Sequence, residues 1–140
     1  MKTVDDCRLV DLPRITRREG NITAVHGTAE IPFDIQRLFY VYDVPGGEGR
    51  GAHAHRELQQ LIVSVMGAFE VTLDDGSARR TVTLSRAYYG LYVPNTVWAE
   101  LAGFSSGSVC LVLCSDHYRE EDYIRDYDEF RRFRNADSVS

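Results

Sequence analysis

At Gly46-Gly47-Glu48-Gly49-Arg50-Gly51-Ala52-His53-Ala54-His55 the chain passes from a glycine-rich break into an alternating pair of histidines. Side chains two apart in a strand point to the same face. Both imidazoles therefore enter one space. The next strand carries Leu61, Val63 and Val65 on a period of two. That apolar row makes the interior of a barrel the expected place for the pair.

Moving outward, short strand-like runs follow one another too closely for helices to intervene. Residues 36–44 (QRLFYVYDV) are aromatic and β-branched. Residues 58–65 and 68–73 flank Gly67. Asp74-Asp75-Gly76 is a hairpin signal. Residues 81–84, 90–93, 97–101 and 108–115 continue the series. The pattern predicts a sandwich or barrel of antiparallel strands.

The character changes near the C-terminus. Over residues 119–134 (REEDYIRDYDEFRRFR), Tyr123, Tyr127 and Phe130 fall at i, i+4 and i+7. The spacing predicts a helix lying on the barrel, with acids leading and arginines following as the helix dipole favours. Residues 135–140 are expected to fray.

The chain has 140 residues and a mass of 15.9 kDa, which predicts one domain over 1–140 with an ordered core of about 7–134. Its net charge of −5 counts against nucleic-acid binding. No apolar run approaches the ~18 residues of a membrane span, and the first residues lack a signal-peptide stretch. A cytoplasmic protein with no membrane partner is expected. The three cysteines, Cys7, Cys110 and Cys114, form no ligand-like framework and read as reduced, inert thiols. His26 and His117 each stand alone and read as surface or structural residues.

Histidines at i, i+2 invite a metal reading, and the stretch is similar to the cupin pattern G-x5-H-x-H-x3,4-E-x6-G. Gly47, His53, His55 and Gly67 match it. Gln59 and Gln60 occupy the two positions allowed for the Glu, and Ala99 stands where a second motif supplies a histidine. Two of four ligands are thus replaced by groups that bind a divalent cation weakly or not at all. No metal and no cofactor are expected. Free imidazoles titrate near neutrality and suit proton transfer instead.

More of the chain resembles one branch of that superfamily, the sugar-nucleotide 3,4-ketoisomerases that act on TDP-4-keto-6-deoxyglucose. Ile31-Pro32-Phe33-Asp34-Ile35-Gln36-Arg37, Arg50-Gly51-Ala52-His53-Ala54-His55 and Leu73-Asp74-Asp75-Gly76 carry the resemblance. So do Gly90-Leu91-Tyr92-Val93-Pro94, Trp98, Phe104-Ser105-Ser106-Gly107 and the run 122–130 (DYIRDYDEF). The resemblance implies an all-β, cupin-type double-stranded β-helix, or jelly roll, with a short C-terminal helix. It implies a homodimer that exchanges N-terminal strands, and a metal-independent enzyme. The substrate partner would be a TDP-linked 4-keto-6-deoxyhexose, whose ketone moves from carbon 4 to carbon 3 through an enediol, for deoxyamino-sugar biosynthesis.

The motif match gives His55 the role of base and His53 that of second proton-transfer or orienting group. Tyr40, Tyr42 or Tyr92 is expected to donate to the developing enolate oxygen. Arg37 and Arg50 are the candidates for the diphosphate, since guanidinium matches phosphate oxygens bidentately. Phe39 or Trp98 is expected to stack on thymine, and Gln60 to line the substrate site.

Two departures from the resemblance matter. Glu19 stands before Gly20 where relatives have Arg, which leaves Arg18 as the substitute phosphate ligand. Ala99 replaces a His or Arg that would face the sugar, so the configuration at carbon 4 is open between gluco and galacto. The rival readings are a nucleotide-sugar epimerase of the same fold, a non-catalytic sugar-nucleotide-binding cupin, and a metal-dependent cupin.

Overall fold

The computed structural model describes residues 1–139. In chain order the strands are β1 (Arg8–Asp11), β2 (Ile15–Arg17), β3 (Gly20–Ile22), β4 (Arg37–Val41), β5 (Arg50–His55) and β6 (Gln60–Met66). They continue as β7 (Phe69–Asp74), β8 (Arg79–Leu84), β9 (Tyr89–Val93), β10 (Trp98–Ala102), β11 (Val109–Cys114) and β12 (Tyr123–Ile124). One helix, α1 (Tyr127–Val139), follows.

Ten strands form two five-stranded sheets, in the orders β1-β9-β6-β11-β4 and β12-β5-β10-β7-β8. Neighbours within them are antiparallel throughout. The sheets face each other across an apolar interior. Ile62, Leu91 and Val112 from one meet Val71, Leu73 and Leu101 from the other. This is the expected jelly roll, with the helix at its end. The hairpin signal closes β7 onto β8: Asp75 Oδ1 accepts the backbone N–H groups of Ser77 and Ala78 at 2.9 and 2.8 Å.

The inner row of β6 differs from expectation. Leu61 and Val63 lie on the outer face, under Leu12, Ile31 and Phe33 of the N-terminal segment. Gln60, Ile62 and Ser64 share the alternate face, on which Ile62 joins the main core. Because the N-terminal segment covers the outer face, both faces of this strand are apolar, and alternation does not identify the inner one.

The C-terminal stretch also differs. Residues 119–126 are not part of the α-helix. A 3-10 turn at Glu120–Asp122 leads into β12, which pairs with the end of β5. Arg56 donates its backbone N–H to Asp122 O at 2.9 Å. These tertiary bonds outweigh helical periodicity. Asp126 then accepts the Glu129 N–H, as an N-cap does, and α1 begins. Tyr127 and Phe130 pack with Trp98 and Ile124 on the outer face of the second sheet, but Tyr123 lies elsewhere, beside the histidines. α1 runs to Val139, across most of the stretch expected to fray; Ser140 lies outside the described residues.

Two glycines shape the approach to the histidines. Gly51 has φ +68 inside β5, where the pairing with β10 slips between Ala99 and Leu101. The bulge re-aims the strand just before His53. Gly67 has φ +76, and a Cβ there would stand 2.5 Å from Ser108 Oγ. Only glycine fits that turn.

Candidate active site

A cavity of about 820 Å³ opens between the sheets. β5 presents His53 to it, β4 presents Arg37 and Phe39, and β10 presents Ala99. Gln60 lines it as well. Arg50 stands at its exposed edge.

The two imidazoles share a face as expected, with ring centroids 4.8 Å apart and planes at 87°. Their environments differ. His55 is 5% exposed and lies behind His53 and Tyr123. Its Nδ1 is 3.0 Å from Asp122 Oδ2. The same carboxylate accepts the backbone N–H groups of Glu57 and Leu58, so it acts as an acceptor only. Nδ1 therefore carries the proton, and Nε2 presents a lone pair. That Nε2 is buried with no hydrogen-bond partner. Burial lowers the pKa of His55, and Asp122 opposes the shift without reversing it. Burial also lowers His53, to about 4, with His55 and Arg125 adding to the effect. Both rings are neutral near pH 7.

The remaining expected residues divide. Alternation along β4 sends Arg37, Phe39 and Val41 inward and leaves Leu38 and Tyr40 outward. Tyr40 is 58% exposed and packs on Tyr42 with ring centroids 5.8 Å apart. It borders the cavity all the same. Tyr42, 59% exposed, stays at the rim. Tyr92 lies on the outer face of its sheet, where its hydroxyl donates to Gln59 Oε1 at 2.6 Å. Trp98 neighbours Ala99 in β10 and so faces the opposite way. It packs edge-on against Tyr127, and its Nε1 donates to Glu100 at 2.9 Å. Neither Tyr92 nor Trp98 reaches the cavity. Arg37 covers one face of Phe39, with its guanidinium carbon 4.6 Å from the ring centroid. Arg18 sits at the turn of the exposed β2–β3 hairpin and does not line the cavity.

Three residues absent from those expectations complete the site: Asp122, Tyr123 and Arg125. Tyr123 sits 4.9 Å from the His53 ring and 4.4 Å from the His55 ring, centroid to centroid. Arg125 lies over the Tyr123 ring, 4.1 Å from its centroid. Their alternation in Tyr123-Ile124-Arg125 is a strand signal, which the helical spacing masked.

The site does not fit a metal. Gln60 and Ala99 offer no anionic or imidazole donor, which leaves the histidine pair short of the three or four donors a first-row metal needs. Among the described residues no group of three His, Cys, Asp or Glu side chains is placed to hold one. The cysteines are no substitute. Burial pushes Cys7 and Cys110 up to about 12 and Cys114 up to about 11.

A two-sheet jelly roll with a histidine pair on the inner face of one sheet defines a cupin-class protein. The family described as "FdtA: WxcM-like, C-terminal" matches residues 5–135, and the chain belongs to it. The chain is 41% identical to the TDP-4-oxo-6-deoxy-alpha-D-glucose-3,4-oxoisomerase of Aneurinibacillus thermoaerophilus, over 90% of its own length and 91% of the relative's. A 3,4-ketoisomerase from Helicobacter canadensis is 40% identical, with a TM-score of 0.91 covering 93% of this chain and 98% of that one. The 3,4-ketoisomerase from Thermoanaerobacterium thermosaccharolyticum, solved as a variant with TDP-4-keto-6-deoxyglucose, is 32% identical. Its TM-score is also 0.91, over 93% and 94% of the two chains.

Proposed function

We propose that this chain is a metal-independent isomerase that moves the ketone of TDP-4-keto-6-deoxyglucose from carbon 4 to carbon 3. The observation that carries the reading is the orphaned Nε2 of His55, buried beside the cavity with its lone pair free because Asp122 holds Nδ1.

The chemistry follows from that nitrogen. The proton on carbon 3 is acidic because the carbon is α to the ketone. His55 Nε2 takes it; the C–H electron pair becomes the carbon 3–carbon 4 double bond, and the carbonyl π pair moves to oxygen 4. An enediolate results. Transfer of the oxygen 3 proton to oxygen 4, and delivery of a proton to carbon 4, complete the exchange with no net oxidation. His53 is the second proton-transfer or orienting group. Its pKa of about 4 makes it a weaker base than an ordinary imidazole and a ready donor when charged. Approach of the substrate to His55 requires a small displacement of His53 or Tyr123.

Arg37 and Arg50 hold the diphosphate in this reading, and Gln60 and Phe39 line the sugar-nucleotide site. The product feeds deoxyamino-sugar synthesis in the cytoplasm. Residues 1–140 act as one domain, and two copies exchange N-terminal strands. The β2–β3 hairpin supports the exchange: Ile15 and Ile22 are 45% and 61% exposed. Exchange would offer Arg18 to the partner's substrate.

Proton NMR of the protein with TDP-4-keto-6-deoxyglucose and EDTA tests the reading. The ketone is expected at carbon 3. Saturable binding with no chemistry, or a ketone that stays at carbon 4, overturns it.

A further inference from the structure

Of the tyrosines expected to receive the enolate charge, Tyr92 lies outside the cavity, and Tyr40 and Tyr42 line it while more than half exposed, yet the chemistry needs a firmly held donor there. The geometry points to Arg125 as the residue that stabilises the enediolate oxygen. This rests on the ketoisomerase reading of the same site.

Arg125 reaches the cavity from just beyond β12, the short strand that also brings Tyr123. Its guanidinium is fixed from two sides. Nε and Nη2 make a bidentate pair with Glu120 at 2.9 and 3.0 Å, and the group lies over the Tyr123 ring at 4.1 Å. A donor held in this way costs little reorganisation when charge develops, which is the condition for strong oxyanion stabilisation. Nη1 makes none of these bonds, which leaves its donors for a ligand.

Position separates Arg125 from the other cavity arginines. It stacks on Tyr123, whose ring meets both imidazoles, at 4.9 Å from His53 and 4.4 Å from His55, whereas Arg37 lies over Phe39 and Tyr118. A substrate held against the histidines therefore meets the ring on which Arg125 is stacked. Arg37 is held between Phe39 at 4.6 Å and Tyr118 at 5.3 Å, and its role in this reading is to bind the diphosphate. With Arg37 assigned to the diphosphate, Arg125 is left for the reacting sugar. Glu120 is a positioning residue that keeps the guanidinium in place.

The test compares Arg125→Ala and Arg125→Lys with wild type. Turnover of TDP-4-keto-6-deoxyglucose is measured beside the affinity for TDP alone. Arg125→Ala is expected to lower kcat by about 100-fold, the usual effect of removing one oxyanion donor. TDP affinity should hold within about threefold, and added guanidinium should restore part of the rate. A kcat near wild type overturns the assignment. So does a loss of turnover matched by an equal loss of TDP affinity, which would make Arg125 a phosphate ligand. If Arg125→Ala does not fold, Glu120→Gln decides: a lower kcat at unchanged TDP affinity supports the role, and an unchanged kcat overturns it. His55→Asn, run alongside, separates the two readings. If it keeps turnover, the histidine assignment fails. If only Arg125→Ala keeps turnover, the inference about Arg125 alone fails.

Discussion

His55 Nδ1 and Asp122 Oδ2 meet at 3.0 Å with both side chains almost wholly buried, 67 residues apart in sequence. The contact links the last residue of β5 to the turn before β12. It selects one tautomer of the imidazole and aims Nε2 at the substrate, as a carboxylate does for a histidine base elsewhere.

Asp122→Asn should therefore leave the fold standing but disable the base. An amide can donate to Nδ1 and so drive the proton to Nε2. Turnover should fall by about 100-fold or more. The Glu57 N–H can keep its bond to the amide oxygen, whereas the Leu58 N–H, which shares Oδ2 with His55, loses its acceptor, so stability should drop by about 1–3 kcal/mol. Steady-state kinetics and a denaturant melt check both numbers.

The histidine shifts set the acid limb of the pH profile. Both rings have pKa values below 6.5, chiefly through burial, and His53 lies near 4. The neutral base should thus persist below pH 6.5, with activity lost only as pH falls through the lowered His55 value. Stability should fall too. Between about pH 6.5 and 4 the unfolded chain binds protons that the folded one excludes, so the stabilisation present above 6.5 is lost on acidification. For His53 that amounts to on the order of 3 kcal/mol. A melting series from pH 7.5 to 4 should fall less steeply for His53→Gln than for wild type.

Ala99 sits directly opposite His53 in the pairing of β10 with β5, on the cavity side. Ala99→His would place a third imidazole next to the sugar. It should change the proportion of gluco and galacto product, read from the NMR coupling of the proton on carbon 4. An unchanged product would remove Ala99 from the stereochemical account.

Phe130 and Trp98 lie against each other outside the second sheet, with ring centroids 5.5 Å apart. Phe130→Ala should cost about 3–5 kcal/mol of stability, as for a buried aromatic elsewhere. Trp98→Phe should leave TDP affinity within about twofold, because the indole is not in the cavity. Calorimetric titration with TDP checks the second point; a tenfold loss would return Trp98 to the binding site.

Much of this was legible in the chain. The strand series and hairpin showed as period-two runs broken by glycine, and the same-face histidines followed from spacing alone. What stayed hidden was which face of a strand points inward. Leu61 and Val63 look like core-facing residues and are, but toward the N-terminal segment rather than the cavity. Trp98 is hard to place for the same reason, since an aromatic side chain suits a core, a helix contact or a ligand equally well. Asp122, Tyr123 and Arg125 fall in a stretch that looks helical because Tyr123, Tyr127 and Phe130 happen to fall at helical intervals. Only the long-range pairing with β5 shows that the stretch is part of the site.

The most direct measurement is exchange of the carbon 3 proton of TDP-4-keto-6-deoxyglucose in deuterated water, followed by NMR for wild type and His55→Asn. Wild type should remove the carbon 3 proton and deliver deuterium to carbon 4 as the ketone moves. His55→Asn should bind TDP with unchanged affinity and do neither. Exchange and ketone transfer at near wild-type rates in His55→Asn would contradict the account at its centre.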